Sequence, residues 1–333
     1  MRRSNLKLLQ YLSVVLLLIM PLRVSASNAP DSLRMVFVGD IMCHESQFKA
    51  AKLPDGTYDF ITPYDSVMPY FSTIDIVIGN LETTLGEAPY SGYPHFRSPE
   101  IMAEQLREVG FDILFTTNNH SADRGLKGIE NTIRKVQASG IKQMGTFFNA
   151  TDRDERTPLL LDTLGIEVAF LAYTYGTNDI EVPKPAEVAL IDTVAMAKEL
   201  EKTRALNPDL IVVYMHWGEE YQLEQSKEQV ALAEWLRGQG VDAIIGSHPH
   251  VCQPLVVERL DNGGLYPIAY SMGNFISNQY FENTQDGMMV ELLLVKEDGE
   301  TTIREVKQID TYCNREVSRA NHYRVEIRDV KER

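Results

Sequence analysis

The chain has 333 residues, 44% of them hydrophobic, and a formal net charge of −15. Its acidic residues are spread along its length, which argues against nucleic acid as a partner, because that binding rests on clustered Lys and Arg against phosphate. Cys43, Cys252 and Cys313 are an odd number without CxxC spacing, so they indicate neither a disulfide framework nor a zinc ribbon, and a single bridge among them is left open.

In chain order, the first feature is an export signal. Arg2, Arg3 and Lys7 precede an almost wholly apolar run at 8–22, interrupted by Gln10 and closed by Pro21. That run is shorter than the roughly 20 residues of a spanning helix. Val24-Ser25-Ala26 offers the small residues of a cleavage site, so residues 1–26 are expected to be a removed signal peptide, with an uncleaved N-terminal anchor as the alternative. The expected location is the periplasm or cell envelope. With no Gly/Ser-rich linker and no repeat, the rest is expected to be one large domain, residues 33–310, and a charged C-terminal extension, residues 311–333.

Residues 34–39 form a short apolar run ending in Gly39-Asp40, and the pattern recurs four times. Residues 74–79 lead into Asn80-Leu81-Glu82, and 112–117 into Asn118-Asn119-His120. Residues 210–215 lead into His216-Trp217-Gly218, and 241–246 into Ser247-His248-Pro249-His250. Helical periodicity marks 100–109, 125–138, 192–206 and 223–239. Alternating strands and helices predict an α/β fold with largely parallel, buried strands, whose ligands collect at the strand carboxyl ends. After Pro254, strand-like runs at 255–260, 266–271, 288–295 and 301–309 suggest a β-rich second half.

The polar tips are what a divalent cation requires. Asp40, Glu82, Asn119, His216, His248 and His250 supply carboxylate, amide oxygen and imidazole, all from one edge of the predicted fold. A lone Asp or His at a strand end is usually a loop cap or a solvated side chain. Five such tips on one edge point to a shared site for one or two ions of Mn, Zn, Fe or Mg type.

These motifs, together with His216-Trp217-Gly218-Glu219-Glu220-Tyr221 and Gly273-Asn274-Phe275, resemble in order and spacing the CapA or poly-γ-glutamate capsule-synthesis family. That family is similar to the calcineurin-like metallophosphoesterases, so the resemblance implies an αββα sandwich with metals at the strand tips. It also implies roles. Asp40 matches the first aspartate, Glu82 a bridging carboxylate, Asn119 and His120 the Asn-His motif, His216 an isolated strand-end histidine, and His248 and His250 the His-x-His pair. The mechanism implied is attack by metal-bound hydroxide with His120 as general acid. One departure stands out: the superfamily's Asp-x-His has Met42 as its third residue here, and a thioether is a poor ligand for hard ions. His44 is a candidate substitute.

Other residues carry weaker signals. Asp123 is expected either to orient His120 or to cap the helix at Gly125. Arg97 and Arg124 are candidates to clamp an anionic substrate, with surface ion pairing as the alternative, and Asn274 either to line the substrate side or to hold a turn. Glu219 and Glu220 either position water or are solvated, and His95 and His322 sit in no motif. The function expected is an exported hydrolase-like protein acting in capsule or poly-γ-glutamate biosynthesis, on an anionic polymer or its phosphorylated precursor. An acidic chain repels such a substrate unless metals or a local basic patch reverse the field. The alternatives are a non-catalytic, metal-stabilised binding or scaffold subunit of a membrane synthase complex, and a metal-dependent γ-glutamyl amide hydrolase.

Overall fold

A computed structural model describes residues 31–315 and 323–333; the expected signal at 1–26 and His322 lie outside these. Two sheets stack face to face with helices on their outer faces. In the first sheet the spatial order is Arg324–Glu332, Glu300–Asn314, Asp286–Glu297, Asp31–Ile41, Ile76–Leu81, Ile113–Phe115 and Lys142–Met144, and Asn274–Ile276 pairs with the end of Asp31–Ile41. The second runs Leu255–Arg259, Leu265–Ala269, Ala243–Ser247, Leu210–His216, Ile166–Thr174 and Leu159–Thr163.

The first strand shows why the sequence chooses this arrangement. Its side chains alternate between faces, and both faces are apolar. Met35 and Phe37 enter the core between the sheets. Val36 and Val38 enter a separate core with Met102, Ala103, Leu106 and Val109 of the Ile101–Val109 helix. Parallel register sets Met35 against Ile76 and Phe37 against Ile78, carrying the same division to the neighbouring strand. Across the sandwich, Phe170 meets Phe37 at 6.4 Å and Phe115 at 6.5 Å between ring centroids. Phe115 also stacks on Tyr214 at 4.6 Å. On the far side, Met196 and Leu200 of Thr193–Ala205 and Ala233 and Leu236 of Lys227–Gly238 bury against the second sheet.

Three features depart from the pattern read in the sequence. Ile166–Thr174, unanticipated, is a central strand of the second sheet, parallel to Leu210–His216. Its apolar run ends in Thr174 and Tyr175, so it lacks the ligand-bearing tip that marks its neighbours. The C-terminal strands form no separate half. Leu255–Arg259 and Leu265–Ala269 join the second sheet, whereas Asp286–Glu297 and Glu300–Asn314 extend the first. The helix expected from 223 begins at Lys227, because Ser226 and Gln229 form a reciprocal capping box. Arg324–Glu332 is the edge strand, antiparallel to Glu300–Asn314, and all three cysteines are free thiols.

Glycine permits the closest approach at the strand ends. A Cβ on Gly39 would lie 2.0 Å from the Gly273 carbonyl oxygen, the acceptor of the Asp40 amide at 3.0 Å. Gly39→Ala is therefore expected to cost more than about 2 kcal/mol, and Phe170→Ala about 3–5 kcal/mol from the cavity left between the sheets. Urea unfolding of both variants checks this, and midpoints equal to the parent's would contradict the packing described.

Candidate metal centre

Strands of both sheets deliver polar side chains to one place. Asp40 lies at the end of Asp31–Ile41, Glu82 just beyond Ile76–Leu81, and Asn119 and His120 beyond Ile113–Phe115. From the second sheet, His216 ends Leu210–His216, and His248 and His250 follow Ala243–Ser247. None of Asp40, Glu82, Asn119, His216, His248 and His250 is more than 3% exposed. His248 and His250 hold positive φ angles of 100° and 59°, strained for residues with a Cβ and retained only where packing over-determines them.

The structure brings these ligand candidates together. Atoms of Glu82, His216 and His248 lie within 4.8 Å of one another, as do those of Asp40, Glu82 and His250 and those of Glu220, His248 and His250. Glu82 Oε1 is 3.7 Å from Nε2 of both His216 and His250. That spacing is too long for hydrogen bonds. It is close to the separation of about 3–3.5 Å between ligands whose bonds to one ion are about 2.0–2.2 Å. Asn119 Oδ1 joins the group at 2.9 Å from His216 Nε2.

Two buried atoms supply the test of fit. Glu82 Oε1 and His248 Nδ1 have no hydrogen-bond partner, and an unmet buried acceptor costs about 1–3 kcal/mol. A cation would satisfy both, and the mixed oxygen and nitrogen donors suit Zn, Mn or Fe. Electrostatics agree. Burial, and then the charge of Asp40, push the Glu82 carboxyl well above its usual range. Burial opposes ionisation of Asp40 too, but hydrogen bonds from His250 and Ser247 outweigh it and hold this carboxyl well below the usual range. Burial pushes His216 down to about 3 and His248 well below its usual value, keeping both neutral and their lone pairs available.

Around this group, partners fix orientation. Asn80 Nδ2 donates to Asp40 Oδ1 at 2.8 Å and Glu82 Oε2 at 3.2 Å, and Asn118 Nδ2 donates to Asn80 Oδ1 at 3.1 Å. Tyr214 Oη lies 3.3 Å from His216 Nδ1. His120 Nδ1 is 2.9 Å from Asp123 Oδ2, which also accepts from the Phe96 amide at 2.6 Å. Asp123 thus orients His120; the helix N-cap is Arg124, without a side-chain cap.

Other expected residues lie elsewhere. Met42 is buried with its sulfur 3.6 Å from Ser277 Oγ. His44 does not take its place in the ligand groups found among the described residues: its Nδ1 lies 3.1 Å from Gln47 Oε1 and accepts from the Asn278 amide at 3.3 Å. Asn274, a candidate for the substrate side, is fully buried. Its Oδ1 is 3.1 Å from His250 Nδ1 and its Nδ2 donates to the His250 carbonyl at 3.2 Å, so it sits behind His250 as support. Arg97 and Arg124 line a neighbouring cavity, and His95 is exposed with Nδ1 4.0 Å from Asp123 Oδ1. Glu220, which the sequence leaves as a positioner of water or a solvated side chain, joins His248 and His250 in a ligand group; the Gly218 turn, at φ 90°, precedes it as the chain leaves His216.

The chain is similar to known proteins in sequence and in fold. The family profile described as Bacterial capsule synthesis protein PGA_cap matches residues 34–279. The chain is 32% identical to the Capsule biosynthesis protein CapA of Bacillus anthracis, over 83% of this chain and 67% of that one. It is 29% identical to the PGA biosynthesis protein CapA of Bacillus subtilis (strain 168), over 80% and 69%. The chain therefore spans about two thirds of the length of these relatives. Among solved structures, the calcineurin-like phosphoesterase YfkN from Bacillus subtilis superposes with a TM-score of 0.55 at 15% identity, covering 88% of this chain and 94% of that one, and so shares its fold.

Metal affinity is expected to rise with pH as long as Glu82 is protonated. Below the raised Glu82 pKa a cation displaces the Glu82 proton, so affinity gains about tenfold per pH unit there, whereas the neutral His216 and His248 add no dependence. Calorimetric titration with Mn or Zn salts across that range checks the slope, and a flat profile would contradict it. His216→Ala is expected to weaken binding by about 100-fold or more and to abolish the rise in Tm that added metal gives the parent.

Proposed function

Since the chain belongs to the bacterial capsule synthesis protein family PGA_cap, we propose that it is an exported metal-dependent hydrolase serving capsule or poly-γ-glutamate synthesis at the cell envelope. Its substrate in this reading is an anionic polymer or a phosphorylated precursor, and its partner a membrane synthase complex. Asp40, Glu82, Asn119, His216, His248 and His250, with Glu220 at the rim, would hold one or two divalent ions. A cation so bound polarises the bond to be cleaved and makes water more acidic.

The rest of the chemistry belongs to the chain. The single observation that carries the catalytic reading is the buried pair of His120 and Asp123, 2.9 Å apart beside the ligand group. With Nδ1 held by the carboxylate, Nε2 is the nitrogen left to give a proton to the leaving oxygen or nitrogen. The edge of the Phe96 ring against His120, at 4.6 Å between centroids, fixes the imidazole plane. Tyr175, half exposed, has its ring 4.5 Å from that of His248. Phosphoester and γ-glutamyl amide cleavage place the same demands on these groups, so both are substrates to be tried.

A second reading, a metal-stabilised scaffold, is favoured by Met42. Its thioether packs on Ser277 where the superfamily pattern has an imidazole.

Metal content and turnover separate the two. With phosphomonoester, phosphodiester and γ-glutamyl substrates, the metal-loaded protein is expected to turn over at least one class. His120→Ala is expected to lower kcat by about 10²–10⁴-fold with metal content unchanged. Absence of turnover on all three, with metal bound, would decide for the scaffold.

A further inference from the structure

Beside the metal centre, a cavity of about 380 Å³ runs along the Gly125–Ala138 helix. Its charge is unlike that of the chain as a whole. Arg97, Arg124 and Lys127 line it, and none has a carboxylate ion-pair partner among the described residues. Two of its carboxylates are already engaged, Glu100 with Lys135 at 2.7 Å and Glu130 with Arg134 at 3.0 Å. That leaves Glu87 against three cations, in a protein of net charge −15.

The arginines are placed there by the fold. Gly86 and Gly128 both line the cavity, and a Cβ at either would meet an arginine, Arg97 Cγ at 3.1 Å and Arg124 Cβ at 2.5 Å. Arg124 donates through Nη2 to Ser91 Oγ and the His95 carbonyl, while its Nε is buried with no hydrogen-bond partner. Burial, and then the charge of Arg97, push the Arg124 guanidinium down, and the neighbouring Asp123 carboxylate offsets them only in part. No acidic side chain occupies the first turn of the helix to offset them. The cavity adjoins the centre through the chain itself: Arg124 on its wall directly follows Asp123, and Asp123 holds His120.

We propose that this cavity binds successive oxyanions, carboxylate or phosphate, of a polymer chain whose neighbouring unit lies at the metal centre. Repeated anionic groups match several cations along one wall, and guanidinium forks favour planar or tetrahedral oxyanions. The delivery of that chain to the centre rests on the hydrolase reading above; the anion binding does not.

Binding to the full, metal-loaded protein tests this with two probes, an oligomer of γ-linked glutamate and a linear polyphosphate. Arg97→Gln and Lys127→Gln are each expected to weaken at least one probe by about tenfold, and the pair together by more, with metal content and Tm unchanged. The weakening is expected to shrink as salt rises. An effect on the glutamate oligomer identifies carboxylate as the recognised group, and an effect on polyphosphate identifies phosphate. Failure of both probes to bind, or equal affinity in parent and variants, would overturn the proposal. His120→Ala separates the two ideas: loss of turnover with probe affinity intact leaves the anion site standing, and absence of turnover throughout does the same.

Discussion

Two carboxylates and three imidazoles share a space from which water is largely excluded, and this crowding is the constraint on which the site depends. Asp40 and Glu82 are fully buried and bridged by a single amide nitrogen of Asn80. Burial, and then repulsion by the Asp40 charge at low dielectric, push the Glu82 carboxyl up, while the hydrogen bond and charge of His250 keep Asp40 ionised. The imidazoles of His216 and His248 are pushed the other way, toward neutrality. Among the described residues no Lys or Arg pairs with either carboxylate, only His216 and His250, so a bound metal ion is the natural counter-charge, and Glu82 Oε1 and His248 Nδ1 are the buried atoms left without a partner.

The architecture is arranged to hold that conflict in place. Each sheet alone carries half of the ligands, so the core between them, built around Phe37, Phe115 and Phe170, also sets the distance across the centre. Gly39 admits the Gly273 backbone beside Asp40, and that segment continues into Asn274, which supports His250. The positive φ angles of His248 and His250 lie at the same junction. Strain, close backbone contact and unmet acceptors thus coincide at one place, as expected where local rules give way to function.

Much of this was legible in the sequence, for a physical reason. A buried parallel strand is a run of apolar residues, and its carboxyl end is marked wherever a polar ligand interrupts the run. Gly39-Asp40, Asn80-Leu81-Glu82 and Ser247-His248-Pro249-His250 carry that mark, so the α/β class and the ligand set could be read from them, while the αββα sandwich was implied by the family resemblance that they carry. Ile166–Thr174 lacks it and so gives no strand-end signal, although it is an interior strand of the second sheet. Strands after Pro254 could be recognised individually, but their division between two sheets depends on long-range pairing that no local pattern encodes. Glu220 reads in the sequence only as a water-positioning or solvated residue, because its place beside His248 depends on the turn at Gly218. The cavity cations were visible one by one, whereas the shortage of partners around them is a property of the fold alone.

Anomalous X-ray scattering from crystals grown with Mn or Zn, recorded on either side of the metal's absorption edge, tests the central claim most directly. A peak enclosed by Glu82, His216 and His248 or by Asp40, Glu82 and His250 is expected. A difference map with no peak among these side chains, or with its peaks only at surface carboxylates, would contradict it.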